Sequence, residues 1–115
     1  MDNLTKQKCH PCEDAAGRLS KKEAVALLKQ LHGWTLTGDK KGVTKTYKMK
    51  DFMAAIRYMQ KIAPVAERED HHPDLHLTGY RTLRVELSTH SIGGLSRNDF
   101  ILAAKIDALP KKLKI

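Results

Sequence analysis

Aromatic side chains are scarce in this chain, with one Trp, three Tyr and two Phe among 115 residues. Cysteine is scarcer still: Cys9 and Cys12 are the whole supply. Two cysteines make no disulfide framework. A chain of this length needs none, because a domain of this size buries roughly two thirds of its unfolded surface. No apolar run approaches the ~20 residues that cross a bilayer, so no membrane segment is expected. Met1-Asp2-Asn3-Leu4 opens without the apolar stretch of a signal peptide, and a cytoplasmic location is the default expectation. An H-E-x-x-H metal motif is also missing.

The charge is one-sided, +8 from 21 basic and 13 acidic side chains. The basic residues are dispersed apart from Lys111-Lys112 and Lys114, and no aromatics interleave with them. A solvated surface is expected, and no nucleic-acid partner. Cys9 and Cys12 form one C-x-x-C, half of a four-ligand zinc site. Two reduced thiols in a loop are the expectation, with zinc shared across an oligomer as the alternative.

The remaining residues are periodic. Residues 1–19 show no period and read as a loop or extension; residues 20–115 read as one domain. Ser20 and Glu23 form a capping box, after which Ala24, Leu27, Leu28 and Leu31 follow helical spacing up to Gly33. Trp34 to Thr37 and Val43 to Lys48 read as a hairpin. Asp51 caps a long helix whose stripe is Phe52, Ala55, Ile56, Met59, Ala63 and Ala66. Met53, Tyr58, Ile62 and Val65 make other faces of that helix apolar too, which hints at an oligomer. Pro64 should kink it, and His72 before Pro73 should stop it near His71. Leu75 to Leu77 and Arg81 to Thr89 read as strands. Ser96 caps a last helix that Pro110 ends. The order predicts α+β: an antiparallel four-stranded sheet with three helices on one face.

Chemistry concentrates in Glu67, His71-His72-Pro73, His90 and Asp99. Three imidazoles with nearby carboxylates suit proton transfer close to neutral pH. Glu67 and His71 are four apart and would share a helix face. For Trp34 the base-rate expectation is a core position, and for Gly93-Gly94 a plain turn.

Glu67-x-x-x-His71-His72-Pro73, six residues, Tyr80, nine residues, His90, eight residues and Asp99 together resemble the signature of the pterin-4a-carbinolamine dehydratases. Gly33-Trp34, Lys50-Asp51-Phe52, Ser88-Thr89-His90 and Gly94-Leu95-Ser96 extend the resemblance over about residues 20–109. It implies loss of water from a 4a-hydroxytetrahydropterin to give the quinonoid dihydropterin, with no metal and no cofactor, the pterin being the substrate. On this resemblance His71 and His90 would be the acid and base. His72 would hold the pterin, and Glu67 would orient a histidine. Asp70 and Ser88-Thr89 would contact the polar edge of the pterin. Trp34 would lie near the pocket mouth, and Asp99 would support the site at a helix start. The resemblance further implies a homodimer or homotetramer and functional coupling to an aromatic amino acid hydroxylase. A non-catalytic pterin-binding or transcription-coactivator-like dimerisation module is the alternative.

Overall fold

Ser20 does cap a helix. In the computed structural model, which describes residues 4–9 and 18–115, the Glu23 N–H donates to Ser20 Oγ and the Ser20 N–H to the Glu23 carboxylate. Helix α1 (Lys21–Leu28) follows, burying Ala24 and Leu27. It stops a turn earlier than the spacing of Leu31 suggests. Gly33, at φ +79°, then turns the chain into a two-residue strand β1 (Thr35–Leu36). Strand β2 (Val43–Lys48) returns beside it. Helix α2 (Phe52–Glu69), capped by Asp51, leads to strands β3 (Asp74–Thr78) and β4 (Thr82–Leu87), and α3 (Arg97–Ala108) closes the order. The sheet order is β1-β2-β4-β3, every pairing antiparallel. Three helices on a four-stranded antiparallel sheet is the expected α+β fold.

Alternation decides which side of the sheet the helices cover. Val43 and Tyr47 of β2 and Leu83, Val85 and Leu87 of β4 are buried. Thr46, Lys48 and Arg84 on the opposite face stay open. Tyr58 of α2 lies edge-on to Tyr47, ring centroids 5.2 Å apart, and donates its hydroxyl to the Ile106 carbonyl of α3. That contact ties two helices and the central strand together.

Two expectations need correcting. The core face of α2 is Ala54, Ala55, Tyr58, Ile62, Val65, Ala66 and Glu69. Phe52 and Met53 are about half exposed, at 50% and 51%. The phenol of Tyr58 and the branched Ile62 fit the sheet, so Phe52 and Ala63 of the expected stripe point outward. Pro64 also sits on the exposed side, inside a helix that runs on to Glu69, and Gln60, four residues earlier, faces solvent as well.

The second correction concerns the N-terminus. Leu4 is buried in the core, and the turn Leu4–Lys6 packs on α3. The described part of the expected extension therefore belongs to the domain. His10 and Cys12 lie outside the described residues. At the other end the tail pairs with the chain beyond β2, through a bridge between Met49 and Leu113. Lys111 folds inward onto the Asp107 and Leu109 carbonyls and over the Tyr58 ring, so that part of the basic cluster is not a free surface. Among the described residues no helix is long and apolar enough to cross a membrane.

Candidate functional site

The end of α2 aims the paired histidines. Asp70 takes a left-handed conformation, φ 51° and ψ 42°. The Asp70 N–H returns to the Glu67 carbonyl and the His71 N–H to the Ala66 carbonyl, which is a Schellman closure. Glycine is the usual residue here; aspartate tolerates it at a small cost. The reversal removes His71 from the helix, so the expected pairing of Glu67 with His71 on one helix face does not form. Glu67 instead meets His72 at 3.1 Å, an open pair with side chains 55% (His72) and 78% (Glu67) exposed.

His71 turns inward. Its Nε2 lies 2.7 Å from Asp99 Oδ1, with the imidazole 11% exposed and the carboxylate fully buried. Asp99 is the third residue of α3, where the helix start favours an anion. Its other oxygen accepts the Thr89 hydroxyl at 2.9 Å and the Ser96 N–H at 3.0 Å. Thr89 Oγ1 is also 2.8 Å from Ser96 Oγ. A carboxylate only accepts, so His71 must carry its proton on Nε2.

Three parts of the chain meet at this one carboxylate: the end of α2, the segment after β4 and the start of α3. His72 is chain-adjacent to His71, and His90 is chain-adjacent to Thr89. The loop carrying His90 is pinched shut by a bridge between Thr89 and Gly94, and His90–Ile92 forms a single tight turn with His90 exposed. The strand expected over Arg81 to Thr89 spans Thr82–Leu87, ending two residues early.

Thr89, expected at the polar edge of the pterin, is buried, as is Asp99, expected to support the site at a helix start. Their side-chain oxygens are bonded to one another, to Ser96 and to His71. Trp34, expected at a pocket mouth, is 4% exposed and donates its indole N–H to Asp107 at 2.9 Å. Asp107 lies two turns along α3 from Asp99, so the indole is part of the core. Ser88 is half-buried and lines a cleft of about 360 Å³ with Thr37, Lys41 and Glu86. Asp70 is exposed beside the histidine pair, and Tyr80 is exposed at the tip of the β3–β4 hairpin.

Glu69 was not singled out by the spacing. It accepts the Cys9 N–H at 2.9 Å and pairs with Lys105 at 3.1 Å. Burial alone would raise its carboxyl; the Cys9 N–H and Lys105 outweigh that and hold it below the usual value. Burial first, and Glu69 second, push the Cys9 thiol up to about 12, which leaves it a protonated and unreactive group. Its Sγ lies 3.7 Å from the Asn98 carbonyl. Among the described residues no three His, Cys, Asp or Glu are grouped to hold a metal ion.

The same arrangement of chain is found elsewhere. The family described as pterin 4 alpha carbinolamine dehydratase matches residues 17–109. A protein of Nitrosomonas europaea named "Putative pterin-4-alpha-carbinolamine dehydratase" is 48% identical over 110 residues, 95% of each chain. "Pterin-4-alpha-carbinolamine dehydratase 2, mitochondrial" of Arabidopsis thaliana is 41% identical over 95% of this chain and 60% of its own. A crystal structure titled transcriptional coactivator/pterin dehydratase, from Brucella melitensis, superposes with a TM-score of 0.75 at 35% identity, covering 79% of this chain and 96% of that one. Matches of this extent and identity settle the kinship: the chain belongs to the pterin 4 alpha carbinolamine dehydratase family.

Proposed function

We propose that this chain eliminates water from a 4a-hydroxytetrahydropterin by histidine acid–base catalysis. The C4a–O bond breaks as the oxygen takes a proton and leaves as water. The N5 proton is removed, and its electron pair forms the C4a=N5 bond of the quinonoid dihydropterin. His71 and His90 are the two proton-transfer groups, while His72, steadied by Glu67, and the neighbouring Asp70 hold the ring. The observation that carries this reading is the 2.7 Å contact of His71 with a fully buried Asp99. Anchoring of this kind fixes one tautomer and one ring orientation, which is what a proton-transfer imidazole needs. The reaction needs neither redox change nor metal.

The test is turnover. Purified protein supplied with substrate by an aromatic amino acid hydroxylase is expected to accelerate quinonoid dihydropterin formation, and His90→Ala to lower kcat by roughly 10²–10⁴. A wild-type rate equal to the spontaneous one would end the proposal. The hydroxylase coupling, a cytoplasmic setting and a homo-oligomeric state belong to the same reading. The half-exposed Phe52 and Met53 on the outer side of α2 support the last of these.

A further inference from the structure

We propose that a cationic cleft beside the His90 loop receives an anionic substituent of the pterin, so that the preferred ligand carries a phosphorylated or carboxylated tail; the dehydratase reading is needed only to place the ring.

The cleft holds about 240 Å³ and lies between the segment entering α1, the β1–β2 turn and the residues after His90. Arg18, Lys21, Lys40 and Lys41 line it, against a wall that includes Gly93 and Gly94. Among the described residues no carboxylate lines it. Among the described residues the carboxylates nearby in the chain are already engaged: Glu23 accepts the Ser20 N–H at 3.0 Å, and Asp39 accepts the Thr37 hydroxyl at 2.6 Å and the Lys41 N–H at 2.9 Å. Four cations around one concavity repel one another unless an anion joins them.

The cleft is built into the fold. The Leu19 N–H donates to the Leu95 carbonyl at 2.8 Å, which pins the segment carrying Arg18. Arg18 lies so close over Gly94 that a Cβ there would stand 2.9 Å from its Cδ. Gly94 is in turn bonded to Thr89, whose N–H reaches the Gly94 carbonyl at 2.9 Å, and the Thr89 hydroxyl holds Asp99. The cleft wall and the histidine network thus share one closed loop.

Size and chemistry agree on what fits. Small-molecule pockets hold roughly 300–1,000 Å³, so this volume suits a substituent and not a whole bicyclic ligand with its tail. In a pterin, C6 is two bonds from C4a, through N5. A ring whose C4a faces His90 therefore starts its C6 tail next to the loop that forms the cleft wall.

The experiment is calorimetric titration of the intact chain with stable oxidised pterins. One arm uses a neutral hydroxylated C6 tail, a second the same tail phosphorylated, and a third a glutamyl tail. The expected result is that at least one anionic ligand binds about tenfold tighter than the neutral one at low salt. The arm that does so identifies the anion. Added salt should erode that preference, and Lys21→Gln combined with Lys40→Gln should bring the ratio near one. Equal affinities in the wild type, a preference that survives both substitutions, or no binding by any of the three would overturn the proposal. A tail preference without any dehydratase turnover would instead count against the reaction alone.

Discussion

Asp99 is the residue that joins the polar network around His71. It has no exposed surface, and its two oxygens serve His71 on one side and Thr89 and Ser96 on the other. Asp99→Asn keeps the volume but places an amide where three donors converge, so at least one contact becomes donor against donor. We expect kcat to fall roughly 10–100-fold, the range for a group that orients another. The imidazole nitrogen resonances of His71 should also change their tautomer signature, which a purely structural role for Asp99 would not produce. A normal His71 spectrum together with a normal rate would refute the positioning role. The sequence pattern singled out the residue and its place at a helix start, but not its partner. Spacing places Asp99 at a helix start but does not tell that a buried carboxylate will face inward to a histidine 28 positions earlier.

At the scale of elements, helix starts were legible, and so were the ends set by proline, but not the backbone reversal that shapes the end of α2. Ser20 and Asp51 carry side chains that bond the first turn, so the start is written in one residue. The end of α2 depends on a backbone reversal, and at Asp70 a non-glycine residue makes it. The spacing of Glu67 and His71 therefore suggested a shared face that the left-handed turn abolishes. The core face of α2 was misread for a related reason, since apolar residues on several sides leave the choice to tertiary packing. Asp70→Gly tests the turn. Glycine removes the left-handed cost, so Tm should rise or hold, with a gain of up to about 1 kcal/mol offset in part by a freer unfolded chain. If Asp70 touches the pterin, kcat/KM should fall in the same variant. Unchanged kcat/KM would remove Asp70 from the site.

At the scale of the molecule, Glu69 joins α2 to α3 and to the N-terminal segment. Its carboxyl is held below the unfolded value of 4.5. A depressed carboxyl stabilises the fold above that value and loses the contribution as pH falls through the folded one. Urea midpoints measured from about pH 7 down to about pH 3 should therefore drop more steeply for the wild type than for Glu69→Gln. Parallel curves would contradict the assignment. A second test concerns assembly: Phe52→Lys on the outer side of α2 should shift sedimentation toward smaller species with little change in monomer stability. A wild-type monomer at micromolar concentration would dispose of that role. The α+β class and the antiparallel sheet were readable because short turns force antiparallel neighbours; the pairing of β2 with β4 was not. The docking of the first residues on α3 was not, since Leu4 stands in a stretch without period.

The single indole, walled into the interior with its N–H fixed on Asp107, makes the chain its own optical gauge. Emission from Trp34 responds to water entering the interior, so a variant whose spectrum matches the parent has kept its tertiary packing, and any lost rate is a loss of chemistry. A red-shifted spectrum marks collapse of the scaffold instead. One fluorescence trace per substitution separates the two before any pterin is added.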